Sequence, residues 1–131
     1  MSGHPAYLNL VLAWLWIVLG FLFGFFLGLF FHREEWLGGY ASLKRRLYRL
    51  AHISFFGLAI INLLFYFTVQ RGAPLSPGLA LASWGFAVGA FSMPFCCLVM
   101  AHFPKLRALF LIPVVSLSAS GILTFWEVLR P

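Results

Sequence analysis

HREEWLGGYASLKRRLYRLAH, residues His32 to His52, is the one long polar interruption in a chain that is 63% hydrophobic. It holds five of the nine basic residues (Arg33, Lys44, Arg45, Arg46 and Arg49) and two of the three acids, Glu34 and Glu35. On its N-terminal side, Leu8 to Phe31 is 24 residues without a charge. A helix needs about 20 apolar residues to cross the hydrocarbon core of a bilayer. A soluble domain commits about a quarter of its residues to charge, whereas only 9% are charged here. The polar residues are too few to cover a water-facing surface, so lipid is the expected solvent.

Outward from this loop the sequence predicts an all-α integral membrane protein, a four-transmembrane-helix bundle. The expected spans are about 8–31, 50–70, 79–101 and 106–126, within a single membrane domain of residues 1–131, with 32–49 as a cytoplasmic loop. The start, MSGHPAY, lacks the basic residues of a cleavable signal and reads as retained. Gly38-Gly39 breaks the first helix, and Ser42 is placed to cap the second, which extends through the basic cluster to about Gln70. RGAPLSPG, residues 71–78, is a loop. Its Ser76-Pro77 suits an N-cap followed by the first helical position. Pro94 should kink the third span and Pro113 bend the fourth.

Charge sets the expected orientation. Arg33, Lys44, Arg45, Arg46, Arg49, Lys105 and Arg107 fall in the two connections on one side, and only Arg71 and Arg130 lie opposite. The positive-inside rule places those connections in the cytoplasm and both termini outside, in an N-out/C-out arrangement at the inner (plasma) membrane. Lys44, Arg45, Arg46, Arg49, Lys105 and Arg107 then become candidates to meet the headgroups of anionic lipids. Tyr7 and Trp126 on one side, and Trp36, Tyr40 and Tyr48 on the other, fit interfacial aromatic belts.

Gly20, Gly24 and Gly28 recur every four residues, each step advancing about 400°, so they form one slowly drifting stripe. With Gly85 and Gly89 of the third span, they read as close-approach surfaces for another helix of this chain, a second copy or another subunit. Asn62 has to find a hydrogen-bond partner inside the protein. Ser116 or Ser120 of the fourth span is the expected one. Glu127 can pair with Arg130 or, across the bundle, with Arg71.

Two constellations could hold a cofactor. His32, His52 and His102 come to the same membrane depth, where a facing pair could clamp a haem iron or one could ligate a chlorophyll magnesium. Met93, Cys96, Cys97 and Met100 share a helix face and offer soft ligands for Cu(I). Against both stands ordinary packing or interfacial hydrogen bonding. No catalytic motif for metal hydrolysis, acyl transfer or phosphate binding occurs, so an enzyme is not expected. No ionisable residue lies at mid-span, which argues against a carrier or channel. Charges clustered between apolar runs argue against nucleic acid. The expectation is a non-catalytic accessory subunit of a larger membrane complex, of the kind found in bacterial respiratory or photosynthetic electron-transfer assemblies. A small haem-, chlorophyll- or copper-binding membrane protein is the first alternative, and an oligomeric channel or carrier the second.

Overall fold

Ser42 and Ser76 each end an extended stretch of backbone and begin a helix, as the sequence predicts. In the computed structural model, which describes residues 6–70 and 74–130, the Ser42 side chain accepts the amide of Arg45 at 3.1 Å. Ser76 accepts the amide of Leu79 at 3.2 Å, with Pro77 in the first turn. Each serine satisfies one of the amides that a helix start leaves without an internal partner.

The chain forms four long helices: α1 (Tyr7–Phe31), α2 (Leu43–Val69), α3 (Pro77–His102) and α4 (Leu111–Val128). Counted with the short 3-10 segment that leads into α4, all four are long and apolar enough to cross a membrane, which fits a multi-pass membrane protein. Between α1 and α2 the turn at Trp36–Gly38 depends on left-handed backbone. Leu37, Gly38 and Gly39 have φ of 57°, 85° and 95°. Glycine takes such angles freely, but a leucine does not. Leu37 is held there by its carbonyl, which accepts the Ser42 hydroxyl at 2.6 Å.

The fourth helix starts later than the sequence suggests. Pro104–Phe110 is a 3-10 segment, and regular α-helix begins only at Leu111. Pro113 supplies the reason. A proline inside a helix has no N–H for the carbonyl four residues back, and its ring crowds that carbonyl.

Packing does not close the four helices into a ring. α2 packs on α1 and α3, α3 packs on α2 and α4, and α1 reaches α3 only lightly. One apolar cluster joins Leu12 and Trp16 of α1, Leu58 and Ala59 of α2, and Ala87 and Ala90 of α3. A second, around Phe65, Val69, Ala82 and Phe86, receives Leu117 and Leu123 of α4. Only Pro113 and Ser120 of α4 are buried. The expected bundle is therefore a three-helix core with a fourth helix leaning on α3.

The glycine stripes pack within the chain, with one exception. A Cβ at Gly20 would stand 2.8 Å from Phe56, and one at Gly24 would stand 2.6 Å from the His52 ring. Gly85 lies against Ser120 and the Ser116 carbonyl, and Gly89 against Leu117. Gly28 departs from the expectation: nothing lies within 4 Å of where its Cβ would be. It has no packing role between helices of this chain.

Candidate functional site

Polar side chains inside an apolar helix set have to be paired, because an unpaired buried donor or acceptor costs about 1–3 kcal/mol. Four such sites tie the helices together. The first joins α1, α2 and α3. Asn9 donates from Nδ2 to Asn62 Oδ1 at 2.7 Å and to the Ser83 carbonyl at 3.3 Å. The Ser83 hydroxyl donates to Asn9 Oδ1, and Asn62 Nδ2 donates to the Leu58 carbonyl at 2.8 Å. Asn9, Asn62 and Ser83 are all buried. The expected partner of Asn62 is thus corrected. Ser116 and Ser120 face Gly85 across the α3–α4 contact, on the far side of α3 from this amide pair.

Two further sites answer the prolines. Pro94 leaves the Ala90 carbonyl without its usual amide, and the Trp16 indole of α1 donates to that oxygen at 3.0 Å. Pro113 does the same to Leu109, whose carbonyl accepts the Cys96 thiol at 3.4 Å. The bend expected at each proline is accompanied by a donor from a neighbouring helix.

The fourth site lies at the end of α1. Arg45 extends from the first turn of α2, where a basic residue opposes the helix dipole of α2 itself. Its guanidinium reaches instead to the last carbonyl of α1, where positive charge is favoured, and to two carbonyls of the turn that follows. Nη2 donates to Phe31 at 2.6 Å, and Nη1 to Arg33 at 3.1 Å and Glu34 at 3.3 Å. The guanidinium carbon stands 3.8 Å from the centre of the Tyr40 ring, 4.8 Å from that of Phe31 and 5.6 Å from that of Trp36. Tyr40 adds its own hydroxyl to the Phe31 carbonyl at 3.1 Å. At 1% exposure Arg45 does not meet lipid headgroups, which corrects the expectation for this residue. Lys44 and Arg49 are half-buried, and Arg46, Lys105 and Arg107 are exposed.

A mirror-image arrangement occurs at the other end. Glu127 of α4 accepts the Ser76 hydroxyl at 2.9 Å and lies beside Gly78, at the amide-rich start of α3. That is where a carboxylate is favoured. Arg130, one of its two expected partners, lies over the Trp126 ring at 4.5 Å. The other, Arg71, lies outside the described residues.

The candidate ligand sets are dispersed. His102 shares a hydrogen bond of 2.9 Å with the Tyr48 hydroxyl. His52 is wedged over Gly24 between the rings of Phe23 and Phe56. His32 is exposed where α1 ends. Met93 packs into the α1–α2–α3 cluster, Cys96 faces the segment before α4, Cys97 is fully buried, and Met100 is half-buried. Among the described residues, no group of three or more His, Cys, Asp or Glu side chains could hold a metal ion.

The chain matches no family model, no curated protein and no solved structure. A groove of about 310 Å³ between α1 and α2 combines apolar walls with charge: Leu27, Gly28, Phe31 and Ile53 line it together with Arg49 and His52. Two others are apolar. One of about 470 Å³ is lined by residues of α1 and α3, and one of about 450 Å³ opens between α2 and α4.

Proposed function

We propose that the chain is a non-catalytic accessory subunit of a larger complex in the bacterial inner membrane, with electron-transfer assemblies as the class to test first. The observation behind this reading is α4. It packs chiefly on α3 and buries only Pro113 and Ser120, leaving Leu111, Val115, Ile122 and Phe125 mostly exposed. Such a helix is suited to lateral packing against a neighbouring subunit. The polar side chains support the same reading, because the buried Asn9, Asn62, Ser83 and Arg45 bond between segments of the chain and do not converge on a substrate-sized polar pocket.

In this proposal both termini lie outside, and the basic connections at 32–49 and 102–107 face the cytoplasm, following the Lys and Arg distribution. Membrane-impermeant thiol reagents test the sidedness on Arg46→Cys and Pro74→Cys, made in a background with Cys96 and Cys97 replaced by Ala. Labelling at 74 in intact cells with protection at 46 is the expected result, and the reverse pattern inverts the topology.

Subunit membership is tested by purification in mild detergent with a photocrosslinker at position 122. Defined protein partners should co-purify and crosslink through α4. A monomer without partners overturns the reading. The haem, chlorophyll or copper alternative is favoured less by the geometry, because Tyr48 already engages His102 and the soft ligands face different neighbours. A Soret band lost with both His52→Ala and His102→Ala would restore it.

A further inference from the structure

The groove between the end of α1 and the start of α2 is unlike the other two. Gly20, Gly24 and Gly28 follow one stripe, and the first two positions are filled by Phe56 and His52. At Gly28 the same trough continues with nothing of this chain in it. Leu27, Phe31 and Ile53 make its walls apolar, and Arg49 and His52 also line it.

The two polar groups have capacity to spare. Arg45, one turn before Arg49, gives its Nη donors to three backbone carbonyls. Arg49 takes part in no side-chain hydrogen bond or aromatic contact among the described residues, and it faces the groove instead. In His52 the enclosed nitrogen is Nδ1, and it has no partner. A proton there would be a buried donor without an acceptor, so the ring proton belongs on Nε2. His52 therefore offers an N–H, and Arg49 a guanidinium, beside an apolar trough.

The geometry points to a specific site for one anionic phospholipid, its phosphate held over Gly28 by Arg49 and His52 and an acyl chain running past Ile53 toward the bilayer interior. Charge complementarity favours this occupant. Lys44 and Arg46 stand in the adjoining turn, and a guanidinium fork fits a phosphate better than any apolar helix that would have to bury it unpaired. The site rests only on the bilayer part of the proposed function. It does not depend on membership of a complex.

The test uses the full chain, purified from membranes in mild detergent, stripped of lipid, and titrated with phosphatidylglycerol or phosphatidylcholine of identical acyl chains. Native mass spectrometry counts the lipids retained. One phosphatidylglycerol should bind, about tenfold tighter than phosphatidylcholine, the effect of one charge-assisted contact. Arg49→Gln should remove that preference, while Arg130→Gln, exposed at the opposite end of the helices, leaves it intact. Gly28→Leu should weaken retention of both lipids at least about tenfold by filling the trough. A Cβ at Gly28 meets nothing in the chain, and an unchanged far-ultraviolet circular dichroism spectrum shows that the variant keeps the fold. Gly28→Val gives the same reading with a smaller side chain.

Equal binding of the two lipids, unchanged retention in Gly28→Leu, or a second copy of the chain occupying the groove overturns the site. A Soret band lost on Gly28→Leu does so as well. A chain recovered in the soluble fraction refutes bilayer insertion before any lipid is measured, which separates the two failures.

Discussion

Removing the Trp16 indole N–H should destabilise the fold, and the size of the effect should depend on Pro94. Trp16 is 3% exposed and donates to the Ala90 carbonyl at 3.0 Å. Its ring also packs edge-on against Phe91, with centroids 4.5 Å apart. Trp16→Phe keeps an aromatic ring but deletes the donor. The orphaned carbonyl should cost about 1–3 kcal/mol, and the smaller ring about 1 kcal/mol more through lost packing. Interhelical hydrogen bonds in bilayers average only about 0.6 kcal/mol, because the separated helices find other partners. Here Pro94 denies Ala90 the ordinary substitute, so the upper part of the range applies. Pro94→Ala returns an amide four residues after Ala90, and Trp16→Phe in that background should then lose only the packing part. The double-mutant cycle should therefore show a coupling of about 1 kcal/mol or more, well above the roughly 0.3–0.5 kcal/mol within which independent sites add. Circular dichroism during unfolding in mixed detergent micelles provides the measurement. Trp14→Phe, at a position 61% exposed, should stay within about 0.5 kcal/mol of the parent. An additive cycle would show that the proline and the indole act separately and would refute the reasoning.

Three other perturbations probe the remaining ties. Asn62→Leu should destabilise by about 1–2 kcal/mol by orphaning Asn9, and adding Asn9→Leu should recover part of that loss, since removing both partners is milder than removing one. Arg45→Leu should cost about 3–5 kcal/mol, as for breaking other buried charged contacts. Arg45→Lys should cost less but remain defective, because an ammonium cannot span three carbonyls as a planar fork does. Proteolysis at residues 32–41 would report both as a loosened turn. Gly24→Ala should cost about 1–3 kcal/mol by overpacking against His52, whereas Gly28→Ala should be neutral or stabilise by up to about 1 kcal/mol through helix propensity. Unfolding midpoints in detergent compare the two directly.

The helices and their starts were legible because they rest on local chemistry. A long uncharged run, a serine before a helix and paired glycines after one act within a few residues of themselves. The later start of α4 is half-legible: Pro113 marks a bend in the sequence, but the 3-10 turns before it depend on contacts with α3 such as Cys96 to the Leu109 carbonyl. Asn62 needs a partner, and Asn9 is the only side-chain amide in the first apolar run. That uniqueness was the signal, and pairing the two amides would have set α1 against α2. Arg45 was hidden by its neighbours. Lys44, Arg45, Arg46 and Arg49 carry the same charge, and composition cannot say which one turns inward. The Ser42 cap could have helped, since it fixes the phase of the first turn, and Phe31, Trp36 and Tyr40 are the rings a buried guanidinium would seek.

The common feature of these ties also bears on why the fold is specific. In hydrocarbon, lipid chains solvate leucine as well as another helix does, so apolar contact alone selects partners poorly. A carbonyl stripped of its amide by a proline is different, because no lipid chain can satisfy it. Pro94 creates one such acceptor at Ala90, Pro113 denies Leu109 the amide of the residue four positions on, and the Phe31 carbonyl at the end of α1 supplies another. The donors that answer them, Trp16, Cys96 and Arg45, come from other segments of the chain. Each bond therefore requires a particular helix in a particular register. Breaks in regular backbone that would weaken an isolated helix become, in this arrangement, the points that determine which helices meet.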